Sequence, residues 1–204
     1  MMLEVRQLSC RRGEAQLFSG LSFRVEAGSA LLVRGANGSG KTSLLRILSG
    51  LSTPHGGEVL WQGVPVRSQA AALRSQVLYL GHAAPLKDDL SVAENLDFAL
   101  RLDGFPVTRE QQFDVLSAVG LFTRRHLYAK QLSQGQRRRL GIARMMLQRR
   151  ALWLMDEPST ALDAQGIDLI RETLRRHLAQ GGVAVVTTHQ ALDLDAPTQE
   201  ITLQ

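Results

Sequence analysis

A glycine-rich segment carries the clearest chemistry in the sequence. It reads Gly35-Ala36-Asn37-Gly38-Ser39-Gly40-Lys41-Thr42 and fits the phosphate-loop pattern G-x-x-x-x-G-K-[ST] at every fixed position. Glycines permit backbone angles at which successive N–H groups point at phosphate oxygens, and a helix that follows adds its positive N-terminal end. The pattern predicts that Lys41 reaches the β- and γ-phosphates of a nucleoside triphosphate and that the Thr42 hydroxyl ligates Mg²⁺.

Two adjacent carboxylates follow a second apolar segment. Residues 151–155 are apolar and predict a buried strand that ends at Asp156 and Glu157. An aspartate at this position is typical of the Mg²⁺ shell in enzymes with a phosphate loop. We expect Glu157, one residue further, to face the γ-phosphate and to polarise the attacking water as a general base. A solvated pair of acids in a loop is the alternative, which Pro158 and the upstream phosphate loop disfavour.

The elements that must position these residues alternate between strand and helix. Ser91 and Thr108 are the predicted N-caps of two of the helices. The order indicates an α/β fold with a largely parallel sheet and functional loops at the C-terminal ends of its strands. We expect one domain, residues 1–204, within which residues 82–140 form an inserted helical subdomain. Periodicity predicts strands at residues 2–6, 21–25, 30–33, 58–61, 77–80, 151–155 and 183–186, and helices at residues 42–49, 91–102, 108–119, 136–148 and 164–179.

Composition narrows the functional classes. The 204 residues are 44% hydrophobic and 21% charged, which suits a globular protein. No apolar run approaches the roughly 20 residues that span a bilayer, and no secretory signal follows Met1. Cys10 is the single cysteine, which excludes an internal disulfide and fits a reducing compartment. We therefore expect a cytoplasmic chain. The net charge of +5 is spread over scattered arginine pairs, and aromatic residues are only 5%. Solvated helix faces are therefore favoured over an anion-binding surface, and no specific nucleic-acid partner is expected.

Three further motifs give the chain a family resemblance. Leu132-Ser133-Gln134-Gly135-Gln136 precedes the carboxylate strand, Ser159-Thr160-Ala161-Leu162-Asp163 follows it, and Thr187-Thr188-His189 ends the last predicted strand. On these motifs and the phosphate loop, the chain resembles the ATP-binding subunits of ABC transporters over essentially its whole length. The resemblance implies an ABC-type P-loop NTPase domain with a mostly parallel sheet core, an antiparallel β subdomain and an inserted helical subdomain.

The resemblance also implies ligands and roles. ATP and Mg²⁺ are the implied ligands, with Glu157, His189 and Lys41 as catalytic residues and Thr42 and Asp156 on the metal. The signature motif acts on ATP held by a second copy of the chain, in a head-to-tail dimer that shares two nucleotides. The implied nucleotide contacts are Gly35, Ala36, Asn37, Gly38, Ser39, Gly40, Lys41, Thr42, Ser43, Arg12, His82, Ser133, Gly135, Gln136 and Asp163.

Two of these positions depart from the family pattern. Arg12 stands where the family usually has an aromatic residue that stacks on adenine, and a guanidinium can also stack on a base. His82 stands where a glutamine usually follows the strand, and its imidazole can bind a water or approach Mg²⁺. The remaining histidines, His55, His126 and His177, have no such context, and we expect them at the surface.

A narrower resemblance links the chain to the ATP-binding subunits of bacterial cytochrome c maturation (haem export) systems. It rests on short segments at residues 17–23, 57–63, 81–82, 94–96 and 187–190. It implies a peripheral protein on the cytoplasmic face of the inner membrane, with integral membrane subunits of a cytochrome c maturation complex as partners. ATP hydrolysis would there drive release of a haem-loaded chaperone. The segment Ala83-Ala84-Pro85-Leu86 is expected either to receive a helix of a membrane subunit or to pack as a loop.

Three alternatives stay open from sequence. The first alternative is an ATPase subunit of another small ABC exporter. The second is a soluble ABC ATPase that acts on nucleic acid or the ribosome, and the third is a regulatory nucleotide-binding module without turnover.

Overall fold

The residues that the computed structural model describes, 1–82 and 85–204, form two sheets and six α-helices. They divide into two units. The first comprises Met1–Gly81, Arg150–Pro158 and Leu174–Gln204, and the second comprises His82–Arg149 and Ser159–Thr173. The two roles weighed for residues 83–86 depend on Ala83 and Ala84, which lie outside the described residues.

The elements follow one another in the order that the sequence predicts, with additions. The strands are β1 (Met2–Arg12), β2 (Ala15–Glu26), β3 (Ala30–Gly35), β4 (Gly56–Trp61), β5 (Val64–Pro65), β6 (Val77–Leu80), β7 (Leu152–Asp156), β8 (Val183–Thr187) and β9 (Thr198–Leu203). The helices are α1 (Lys41–Leu48), α2 (Ala70–Arg74), α3 (Val92–Leu102), α4 (Arg109–Ala118), α5 (Gln134–Leu147) and α6 (Ala164–Ala179). Short 3-10 turns occur at Val66–Gln69, Phe122–Arg124 and Ala129–Gln131.

A wholly parallel sheet of five strands lies in the first unit, in the order β6-β7-β8-β3-β9. Every residue of β7 and β8 is buried, which explains their continuous apolar sequences. The register of this pair sets Asp156 beside Thr187, so two polar side chains meet where the apolar strands end. The predicted parallel core is confirmed. Strand β9 was not predicted, because it is a mostly exposed edge strand with a polar sequence.

The second sheet is antiparallel, in the order β2-β1-β4-β5, and confirms the antiparallel part of the fold. Strands β1 and β2 run well beyond the predicted 2–6 and 21–25. Irregular register between Val5 and Leu8, and again near Cys10, interrupts the alternation of apolar and polar residues from which the strands were predicted.

One hydrophobic core joins both sheets of the first unit through α1. The buried face of α1 contributes Leu44, Leu45 and Leu48, spaced as one stripe of a helix. Alternate residues of the parallel strands join the same core, as do residues of β1 and β4. Helix α1 is therefore fixed by packing, and the loop that precedes it is held between β3 and a well-anchored helix.

Helices α3 and α4 of the second unit begin where the sequence places their caps. Ser91 caps α3 in a capping box with Glu94, and Thr108 caps α4 in the same way with Gln111, so both predicted N-caps are confirmed. Helix α5 begins two residues before the predicted start at 136, because Ser133 forms a capping box with Gln136. Among the described residues, no helix is both long and apolar enough to cross a bilayer.

His177 contradicts its prediction. It is only 9% exposed, although we expected it at the surface with His55 and His126, which are exposed. Its ring stacks on Trp153 of β7 at 3.9 Å, and Nε2 lies 3.1 Å from the Val183 carbonyl oxygen. Two arginines from the scattered pairs, Arg138 and Arg150, are also buried rather than solvated. Sequence spacing could not identify the face of α6 that packs on the sheet.

Candidate functional site

The glycines of the phosphate loop occupy backbone conformations that other residues avoid. Gly35, Gly38 and Gly40 have φ angles of 145°, 87° and 99°. A Cβ at Gly35 would lie 2.5 Å from Ser39 Oγ and 2.6 Å from the Leu203 carbonyl oxygen. The loop between β3 and α1 therefore depends on glycine both for its angles and for its space.

Lys41 lies inside this loop, at the N-terminus of α1. Its side chain is buried, and Nζ donates to the carbonyl oxygens of Gly35 at 2.7 Å and Ala36 at 3.2 Å. Nζ also lies 3.2 Å from His189 Nε2 and 3.7 Å from Glu157 Oε1. The ammonium group thus stands where the loop, the carboxylate after β7 and the histidine after β8 meet.

Ser39 adds a buried hydroxyl group to the loop. Its Oγ is buried and has no hydrogen-bond partner within residues 1–82 and 85–204. An unsatisfied buried hydroxyl is costly, and a phosphate oxygen is an acceptor that would satisfy it. Together with the glycine conformations and Lys41, this atom fits a bound phosphate chain.

Thr42 and Asp156 bring two oxygens together. Thr42 Oγ1 donates to Asp156 Oδ2 at 2.7 Å, and Asp156 is only 3% exposed. A hydroxyl and a carboxylate are hard oxygen ligands of the kind that Mg²⁺ takes from proteins when phosphates supply the rest. These residues therefore fit the metal that the sequence predicted. Burial and the negative charge of Asp156 also raise the pKa of Tyr79, which lies on the neighbouring strand β6.

Glu157 and His189 are in direct contact. His189 Nε2 lies 3.1 Å from Glu157 Oε1, and the two side chains are 50% and 23% exposed. Glu157 has a φ of 46°, in the left-handed region, so its side chain leaves the strand end at a sharp turn. Arg34 Nη1 reaches the His189 carbonyl oxygen at 3.4 Å.

Thr187, which has no predicted role, belongs to this group in the structure. Its Oγ1 donates to Asp156 Oδ1 at 2.7 Å and accepts from the Glu157 backbone N–H at 2.9 Å. The available signal was a polar residue at the end of an otherwise apolar strand, two positions before His189. Its significance depends on strand register, which the sequence does not reveal.

In the second unit, the signature motif forms the start of α5. Ser133 Oγ accepts from the Gln136 N–H at 3.2 Å, and Gln136 Oε1 accepts from the Ser133 N–H at 3.0 Å. A Cβ at Gly135 would lie 2.6 Å from the Ala161 carbonyl oxygen, so only glycine fits there. The predicted residues Ser133, Gly135, Gln136 and Asp163 all line one cleft of about 560 Å³.

Asp163 is held in that cleft by two donors. The Gly166 N–H donates to its Oδ1 at 2.9 Å, and Arg139 Nη2 donates to the same oxygen at 2.6 Å. These bonds, the backbone one foremost, hold the pKa of the Asp163 carboxyl below its usual range. The carboxylate therefore stays ionised and ties the segment before α6 to α5.

Arg12 and His82, the two departures from the family pattern, are both exposed. Arg12 is exposed at the end of β1, opposite Ala15 in the hairpin with β2. His82 is exposed in the second unit and lines a smaller cleft of about 140 Å³ with Gln134, Arg137, Arg138, Thr160 and Ala161.

Known proteins match this chain over most of its length. The sequence profile described as "ABC transporter" matches residues 18–160. The chain is 47% identical over 197 residues to the cytochrome c biogenesis ATP-binding export protein CcmA of Nitrosomonas europaea, covering 97% of this chain and 92% of that protein. It is 48% identical over 193 residues to CcmA of Pseudomonas aeruginosa, covering 95% of each. To CcmA of Escherichia coli K12 it is 44% identical over 193 residues, covering 95% of this chain and 91% of that protein.

Solved structures share the fold. An ABC transporter ATP-binding protein from Pyrococcus furiosus has a TM-score of 0.86 at 24% identity, covering 100% of this chain and 98% of that chain. An ATP-binding cassette in a dimeric post-hydrolysis state, bound to ADP and Pi, has a TM-score of 0.80 at 22% identity and covers 92% of this chain and 88% of that chain. At these identities the likeness concerns the fold.

Proposed function

The chain belongs to the ABC transporter family, and from this premise we propose that it is the ATP-hydrolysing subunit of a cytochrome c biogenesis export system. The observation that carries the proposal is the contact of Lys41, Glu157 and His189 beside the Thr42–Asp156 pair. A phosphate-binding loop, an oxygen pair suited to a metal and a carboxylate–histidine pair are the parts that phosphoryl transfer to water requires.

Binding of ATP would use groups that are already directed into the loop. Lys41 would exchange its bonds with the Gly35 and Ala36 carbonyl oxygens for β- and γ-phosphate oxygens, and Ser39 Oγ would gain an acceptor. The loop N–H groups and the α1 N-terminus add positive potential. Thr42 and Asp156 would hold Mg²⁺, which when bound neutralises charge on the phosphate oxygens.

Hydrolysis would then depend on Glu157. Its carboxylate accepts a proton from water as the water oxygen bonds to the γ-phosphorus, and the bond to the β–γ bridging oxygen breaks to leave ADP and phosphate. His189 Nε2, 3.1 Å from Glu157 Oε1, would hold the carboxylate and would contact the γ-phosphate. The Lys41 ammonium, 3.7 Å from Glu157 Oε1, stabilises the negative charge on that side of the site.

The second unit supports a shared site. Ser133, Gly135 and Gln136 present the first N–H groups of α5, the end of a helix that favours anions. We assign them, with Asp163, to ATP held by a second copy of the chain in a head-to-tail dimer. Arg12 is assigned to the adenine face by stacking, and His82 to a water or the metal shell.

The names of the relatives support the narrower function. Proteins 44–48% identical over nearly the whole chain are named cytochrome c biogenesis ATP-binding export proteins. We therefore assign this chain to the cytoplasmic face of a bacterial inner membrane, with integral membrane subunits of the same system as partners. Release of a haem-loaded chaperone is the step that its ATPase activity would drive.

Two measurements on the parent chain test this function. Purified protein should release phosphate from ATP only when Mg²⁺ is supplied, and it should co-purify from cells with haem-handling membrane proteins. Association with ribosomes or DNA and none with membranes would contradict the export function. Absence of phosphate release at any protein concentration, with ATP still bound, would indicate a regulatory module instead.

A further inference from the structure

Thr187 is the one polar residue of an otherwise apolar buried strand. Strand β8 reads Val-Ala-Val-Val-Thr, and all five residues are buried, Thr187 with 0% exposure. Valine has nearly the same shape as threonine and suits a strand that is buried on both faces. Burial of a hydroxyl group costs free energy unless the group forms hydrogen bonds. Packing alone therefore does not explain why this position is threonine and not valine.

The hydroxyl makes two bonds, and their directions are fixed. Oγ1 donates its single proton to Asp156 Oδ1 at 2.7 Å, and it accepts from the Glu157 N–H at 2.9 Å. The parallel register sets Thr187 directly beside Asp156, so the arrangement follows from the strand pairing. A single oxygen atom thus joins the aspartate assigned to the metal and the residue assigned as the base.

The carboxylate of Asp156 lies between two hydroxyl groups. Thr187 donates to Oδ1, and Thr42 donates to Oδ2 at 2.7 Å. A rotation of the carboxylate plane would break both bonds. Since Thr42 and Asp156 are the proposed metal residues, the Thr187 bond sets the direction in which Oδ2 faces Thr42.

The same hydroxyl restrains Glu157. A φ of 46° is costly for a residue with a side chain, and such conformations persist when their surroundings hold them. The Glu157 N–H donates both to Thr187 Oγ1 and to the Thr187 carbonyl oxygen, the latter at 3.1 Å. Loss of the hydroxyl would leave the carbonyl bond in place and loosen the turn that directs the Glu157 carboxylate.

We propose that Thr187 is a positioning residue for ATP hydrolysis, which acts through its hydroxyl on Asp156 and on the backbone turn of Glu157. The proposal rests on the proposed function, since it requires that these two residues serve the metal and the attacking water. It adds a residue that lies at the end of β8, outside the phosphate loop.

The test compares four single variants with the parent in a steady-state Mg²⁺-ATPase assay. Thr187→Val keeps the shape and removes the hydroxyl, whereas Thr187→Ser keeps the hydroxyl. Thr187→Ala and Thr187→Ser both remove the methyl group, so this pair isolates the hydroxyl even if Thr187→Val does not fold. Thr173→Val is the matched control, because it removes a buried hydroxyl that donates to the Leu169 carbonyl oxygen within α6.

We expect Thr187→Val to lower kcat about tenfold or more, which is about 1.4 kcal/mol at the transition state. The KM for ATP should change less than about threefold, because Lys41 and the loop are untouched. The Mg²⁺ concentration for half-maximal ATP binding, measured with a fluorescent nucleotide, should rise. Thr187→Ser should return kcat and the required Mg²⁺ concentration to within about twofold of the parent. Thr187→Ala should behave like Thr187→Val, and Thr173→Val should match the parent.

Two results would overturn the proposal. One is a parent-like kcat and Mg²⁺ requirement in Thr187→Val, or in Thr187→Ala where the valine variant does not fold. The other is a Thr187→Ser variant as slow as Thr187→Ala, which would make the methyl group the important feature. A parent chain that releases no phosphate refutes the proposed function and this role with it, whereas an active parent and an equally active Thr187→Val refute this role alone.

Discussion

The His177 imidazole is buried between α6 and the parallel sheet. It stacks on Trp153 with an angle of 3° between the rings, and a Cβ at Gly182 would lie 2.1 Å from it, so the ring fills a closely fitted space. Burial lowers the pKa of His177 from 6.5 to about 4, opposed only in part by the hydrogen bond with the Val183 carbonyl oxygen. The ring is therefore neutral in the folded protein well into the acid range.

The sign and size of the effect on stability follow from linkage. Above pH 6.5 the ring is neutral in both states, and it contributes no pH dependence. Between pH 6.5 and about 4 the unfolded chain binds a proton that the folded chain does not, so the free energy of unfolding falls as the pH falls. From pH 7 to pH 5 this single group should cost about 2 kcal/mol, and by pH 4 about 3 kcal/mol.

Urea unfolding followed by circular dichroism at pH 7 and pH 5 measures this cost. Other groups titrate as well, so the quantity of interest is the difference between the parent and His177→Phe, which keeps an aromatic ring on Trp153 but cannot titrate. The parent should lose about 2 kcal/mol more than the variant over this interval. His126→Gln, at an exposed position, should lose as much as the parent. Equal losses in the parent and His177→Phe would show that burial of His177 does not cause this pH dependence.

Two glycine substitutions test the two halves of the proposed nucleotide site. Gly35→Ala puts a Cβ 2.5 Å from Ser39 Oγ at a φ of 145°. ATP affinity, measured in a fluorescent-nucleotide titration, should therefore fall at least about tenfold. An unchanged affinity would contradict the loop geometry. Gly135→Ala puts a Cβ 2.6 Å from the Ala161 carbonyl oxygen. Phosphate release should therefore fall at least about tenfold, while ATP affinity stays within about twofold of the parent. Phosphate release at the parent rate would contradict the role of the signature motif.

The parts of the fold that sequence predicted are those with local causes. The phosphate loop is a contiguous motif between a strand and a helix, and the caps at Ser91 and Thr108 need only the residue three positions later. The same locality explains why the roles of Lys41 and Thr42 could be predicted from residue type and spacing alone.

The parts that sequence did not predict depend on distant pairing. Strand β9 is held by hydrogen bonds to β3, and its own exposed residues carry no alternating pattern. Thr187 acquires its contacts from the β7–β8 register, and His177 its burial from the face of α6 that meets Trp153. In each case the deciding neighbour lies many residues away along the chain, where periodicity carries no information.

Glu157 is the proposed base that activates water, and the Glu157→Gln variant is the decisive test of this role. Glutamine keeps the size of the side chain but cannot accept the proton, so phosphate release per mole of folded protein should fall by about 10² to 10⁴-fold. ATP affinity should be retained, and dimer should accumulate with ATP by size-exclusion chromatography. Glu110→Gln, exposed at the start of α4, serves as the control and should match the parent. Phosphate release at the parent rate in Glu157→Gln would show that Glu157 is not the base.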